Sequence, residues 1–74
     1  MHGMPLSGVE AGKRVYIVAV IAGQGLQGRL AAMGLVPGVP VDVIVNSTHG
    51  PFIVAVKGSR VILGQGMAGR IIVV

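Results

Sequence analysis

Seventy-four residues make one small domain, and a chain of this size with no cysteine holds no disulfide, thiol redox motif or zinc ribbon. Hydrophobic residues make up 53% of it and mean hydropathy is +0.85, values that resemble a membrane protein. The longest charge-free stretches, 15–28 and 43–56, carry glycine and polar residues and fall short of the roughly 20 apolar residues a spanning helix needs.

Residues 1–13 read as a short arm and turn broken by Pro5, Gly3, Gly8 and Gly12, with Leu6 and Val9 as its anchors on the core. Met1 to Val9 lacks the basic and then apolar pattern of a signal peptide. Arg14 to Ile21 is dense in β-branched residues and predicts a buried strand. From Gln24 to Met33 the period changes. Leu26, Leu30 and Met33 fall at i, i+4 and i+7, the stripe of a short amphipathic helix, and Gly34 stands where a left-handed cap is expected.

Pro37-Gly38 marks a tight turn. Val41 to Asn46 predicts a strand with Val41, Val43 and Val45 on one face and Asp42, Ile44 and Asn46 on the other. Ser47 to Pro51 is the turn into a return strand, Phe52 to Lys57. Gly58-Ser59 reads as a Gly-first type II′ hairpin turn into Arg60 to Leu63. Gly64 to Gly69 turns a corner, and Arg70 to Val74 closes the domain. About five short strands and one helix over 24–33 define a mainly β class, best fitted by a small SH3-like barrel spanning 1–74.

Gly23-Gln-Gly25-Leu-Gln-Gly28 is a literal G-x-G-x-x-G after a strand, with Asp42 at nearly the spacing of a ribose-binding acid. The chain nevertheless has no room for a doubly wound sheet, and the motif occurs twice. VIAGQGLQGR at 20–29 and VILGQGMAGR at 61–70 repeat at an offset of 41 residues. The expectation is two sharp exits from a strand into a helical turn, with glycine admitting strained φ and close approach. Arg29 and Arg70 follow the two copies.

No nucleophile–base pair can be assembled from Ser7, Ser47, Thr48, Ser59, His2 and His49, so no catalysis is expected. His2, His49, Glu10 and Asp42 show no metal-ligand spacing; neither a built-in metal site nor a cofactor is expected. The net charge of +4 comes from dispersed cations. It admits nucleic-acid binding as an alternative, but Tyr16 and Phe52 are the only aromatics and read as core fillers, leaving few stacking platforms.

The apolar set Leu26, Leu30, Met33 and Leu35 admits two roles: a plug for the barrel's open end, or a surface groove for a partner. So small a barrel cannot bury all its aliphatic side chains, which raises the second role and also suggests weak self-association.

Arg29-Leu30-Ala-Ala-Met33-Gly34-Leu35-Val36-Pro37-Gly38, then Gly50-Pro51-Phe52-Ile53-Val54, then Val56-Lys57-Gly58-Ser59-Arg60-Val61-Ile62-Leu63 and Ile71 to Val74, form an ordered set that resembles the FeoA family of ferrous-iron transport accessory proteins. The resemblance covers residues 6–74. It implies an SH3-like barrel in the cytoplasm, working with FeoB, a membrane ferrous-iron transporter that carries a guanine-nucleotide-binding domain. Related domains end metal-dependent repressors. With no helix-turn-helix before the barrel, a stand-alone accessory is the expectation and a relative of those repressor domains the alternative. On this reading Leu26, Leu30, Met33 and Leu35 supply apolar contacts to FeoB and Arg29 a polar one at the rim.

Overall fold

The β-branched run after Lys13 forms the strand to which both halves of the molecule attach. In the computed structural model, which describes residues 3–74, this strand is β2, Arg14–Val20. The elements before and after it are β1 (Met4–Pro5), α1 (Gln24–Ala32), β3 (Pro40–Asn46), β4 (Phe52–Val56), β5 (Ser59–Leu63), α2 (Gln65–Ala68) and β6 (Ile71–Val73). All strand pairs are antiparallel, in the order β1-β6-β2-β3-β4-β5.

The inward residues follow the period of two. Ile17, Val41, Val43, Phe52, Val54, Val56, Leu63, Ile71 and Val73 are all buried, together with Leu6 and Val9 from the arm. The arm does more than anchor: Met4 and Pro5 pair with Val73 and Ile72 and add a sixth strand. A 3-10 turn over Leu6–Gly8 then drops Leu6 into the core.

Helix α1 ends as its sequence requires. Gly34 adopts φ 87°, a conformation that costs an L residue about 1–2 kcal/mol. Its N–H donates to the Ala31 carbonyl and the Leu35 N–H to the Leu30 carbonyl, both at 2.9 Å. That pair of bonds is a Schellman cap, and its two apolar members, Leu30 and Leu35, are buried in the same core.

Three local expectations are corrected. The β4–β5 turn is Lys57-Gly58, with both residues at positive φ (51° and 79°), a type I′ turn in which Val56 pairs with Ser59. A bulge between Val43 and Val45 breaks the alternation of β3, so Asn46 pairs with buried Phe52 and turns inward while Val45 joins Ile53 outside. Tyr16 is not a core filler: it is 49% exposed on β2, whereas Phe52 is fully buried.

Outside the barrel, Arg14 and Asp42 face each other across β2 and β3. Arg14 donates from Nε and Nη2 to the two carboxylate oxygens at 2.7 and 3.1 Å. The hydrogen bond, with the adjacent charge behind it, holds the Asp42 carboxyl below its ordinary range. Because the folded value is depressed, the pair's stabilisation is present above the usual Asp pKa of about 4 and is lost as pH falls through the lowered value. Both side chains are solvent-exposed, so the effect is small. Acid titration of thermal stability is expected to show a shallower decline below pH 4 for Asp42→Asn than for the parent chain.

Candidate partner interface

The two copies of the glycine motif make the same local structure. Gly23 caps α1 after β2, and Gly64 caps α2 after β5; in the second copy Ala68 and Gly69 donate to the carbonyls of Gly64 and Gln65. A strand leads into a helical turn in each case, so the corner at 64–69 contains a short helix of its own.

The reason expected for the glycines does not hold. Gly23 and Gly64 have φ of −66° and −73°, which any residue adopts. Gly25, Gly28 and Gly66 also lie outside the left-handed region, and a Cβ added at Gly23, Gly25, Gly28, Gly64 or Gly66 would meet nothing within 4 Å. Glycine inside a helix costs roughly 0.5–1 kcal/mol relative to alanine. Nothing within the fold repays that cost in α1.

The apolar stripe of α1 divides between its two roles. Leu30 and Leu35 are 0% and 1% exposed: both plug the core and cannot present a surface to a partner. Leu26 and Met33 are half-buried against that core. Of the five residues expected to contact a partner, only Arg29 is exposed, and it sits in the last turn of α1, where a cation suits the helix C-terminus. The correction follows from size. A barrel with short strands leaves one side of its core uncovered, and the i, i+4, i+7 stripe covers it.

Turning the stripe inward sets Gln24, Gly25, Gly28, Arg29 and Ala32 outward, a face of small residues between the longer side chains of Gln24 and Arg29. Beside it runs a shallow groove lined by Val20, Gln27, Ala31, Leu35, Val36 and Pro37. The Gln27 amide donates to the Val20 carbonyl at 2.9 Å and ties the helix to the end of β2. This face carries no apolar side chain beyond alanine, so the apolar stripe of the sequence does not reveal it. The signal was the helical position of Gly25 and Gly28, opposite Leu26 and Leu30.

Elsewhere the candidate groups stay apart. His2 lies outside the described residues. His49 and Glu10 are exposed, Asp42 is taken by Arg14, and no group of three metal-ligating side chains forms among the described residues. Arg70 is exposed, as Arg29 is. No helix of the described residues is long and apolar enough to cross a membrane.

The strand order, the short strands and the single long helix packed on the core define a small SH3-like barrel. Residues 4–74 match the FeoA domain family, and the chain belongs to that family. A protein of Methanocaldococcus jannaschii provisionally named Fe(2+) transport protein A is 38% identical over 69 residues, covering 93% of this chain and 83% of that protein. The crystal structure of an iron uptake regulatory protein (FeoA) superposes with a TM-score of 0.91 at 35% identity, over 97% of this chain and 96% of the other. A manganese-dependent transcriptional repressor matches with a TM-score of 0.88, but at 22% identity and over 41% of its own chain, a likeness of fold alone.

Proposed function

We propose that this barrel is an accessory of ferrous-iron uptake that binds a FeoB-type membrane transporter from the cytoplasm and modulates transport by contact rather than by catalysis. Family membership supports the pathway. The observation that supports the surface is the outer face of α1, where Gly25 and Gly28 weaken an exposed helix without meeting any need of the fold.

Two small residues on adjacent turns let a partner's backbone approach closely. Arg29 next to them supplies a charge at the rim, and the groove along Val20 and Pro37 supplies apolar area. Leu26 and Met33 contribute their exposed fractions; Leu30 and Leu35 act from below by holding the helix in place.

Two consequences separate stability from binding. Gly25→Ala and Gly28→Ala should each stabilise the chain by about 0.5–1 kcal/mol. Thermal melts should read that as a rise of a few degrees. Gly28→Leu should remain folded, because space is open there, yet lose capture by membranes carrying the transporter. If Gly28→Leu and Arg29→Glu are captured as well as the parent chain, α1 is not the binding surface. If the parent chain is not captured either, the partner itself is wrong.

A further inference from the structure

Strand β5 is an edge of the sheet, and its pairing fixes which of its peptide groups are free. The two-residue turn makes Val56 and Ser59 a hydrogen-bonded pair, so the hydrogen-bonded pairs that follow are Val54 with Val61 and Phe52 with Leu63. The N–H and C=O groups of Arg60 and Ile62 therefore point away from β4, and they bond to nothing else among the described residues.

Natural edges are commonly blunted by proline, a bulge or an inward-pointing charge. β5 has none of these: its five pairs run in unbroken register, whereas β2 and β3 both carry irregularities. Arg60 is the one charge on the strand, and it points outward.

The side chains on that edge have a definite chemistry. Arg60 and Ile62 share the outer face, and Ile62 is 70% exposed, the most exposed large hydrophobic residue described. Ile62 continues a row formed with Ile53 and Val45 on the neighbouring strands. Arg60 continues the row of Asp42 and Ala55, but Asp42 is already held by Arg14, so Arg60 has no carboxylate partner among the described residues.

We propose that β5 is a second docking site, independent of α1, that accepts an extended acidic segment of a protein as an added strand. Its peptide groups bond those of Arg60 and Ile62, with a carboxylate beside Arg60 and a branched aliphatic side chain two residues away beside Ile62. A second copy of β5 fits less well. It would bring a second arginine and no anion to a chain already carrying +4.

The test is a titration of the 15N-labelled full chain with a capped octapeptide that repeats Glu-Thr-Val-Thr, beside the same peptide with Lys for Glu. The expected result is amide shifts and slowed exchange centred on Arg60 and Ile62, with the Glu peptide preferred. Ile62→Pro removes a donor the fold does not use and should weaken binding by about tenfold. Arg60→Glu should reverse the preference between the two peptides. No shifts at millimolar peptide, equal binding of both peptides, shifts centred on another element, or full binding by both variants would each overturn the proposal. Concentration-dependent shifts at Arg60 and Ile62 without peptide would instead assign the edge to self-association.

Discussion

Replacing Leu30 by alanine is expected to destabilise the chain by about 2–5 kcal/mol, the range for a large aliphatic residue removed from a packed core. Leu30 is fully buried, it is the i+4 member of the stripe by which α1 covers the barrel, and its carbonyl accepts the Schellman bond from Leu35. A domain of this length has a total stability of only about 4–11 kcal/mol at the usual per-residue value, so the loss is a large fraction of the whole. Urea titration should show a much lower midpoint with little change in slope. Leu30→Glu should not fold, because an unpaired carboxylate would enter a core that contains no buried polar side chain among the described residues. A loss under 1 kcal/mol for Leu30→Ala would mean that α1 is not the cover of the core.

The second large effect belongs to Asn46. Its amide donates to the carbonyls of Ser7 and Val9 at 3.1 and 2.7 Å, and its side-chain oxygen accepts from the Gln65 amide at 3.3 Å. Gln65 also donates to the Ser47 carbonyl at 2.9 Å. One part-buried side chain thereby joins the arm, the end of β3 and the start of α2. Asn46→Ala leaves two carbonyls and an N–H short of partners, at an expected cost of about 2–3 kcal/mol. Asn46→Asp keeps the shape but replaces the donor with a charged acceptor facing two carbonyl oxygens, so at neutral pH it should cost at least as much. Hydrogen exchange should localise the damage: the amides of β1 and of residues 6–9 open first, while β3–β4 remains protected. Equal protection of the arm in the variant would show that Leu6 and Val9 alone hold it.

The strands were legible because their inward residues are β-branched and alternate, and the helix because Leu26, Leu30 and Met33 repeat at 3.6 ahead of a capping glycine. The turn lies at Lys57-Gly58, one residue before the Gly58-Ser59 position that the sequence suggests, and cross-strand charge explains the difference. A Gly58-Ser59 loop would have set Lys57 directly opposite Arg60, two cations across a strand pair, whereas the Lys57-Gly58 loop sets Arg60 against Ala55. The bulge that turns Asn46 inward leaves no mark in composition; it becomes visible only when β4 fixes the register and the arm offers two carbonyls. The partner face was hidden for a different reason. Exposed apolar side chains were the expected sign, but the core of so small a barrel needs Leu30 and Leu35 for itself. What remains outside on α1 is glycine, alanine, glutamine and one arginine, residue types that announce no contact until the space above the glycines is seen to be empty.

The most direct test of the transporter reading is to follow the amide spectrum of the 15N-labelled chain as a FeoB-type transporter in lipid nanodiscs is added. Signals of Gly25, Gly28 and Arg29 should shift or broaden first, and those of the outer β3–β5 surface should stay in place. Perturbation confined to the sheet, or none at saturating transporter, would contradict the account.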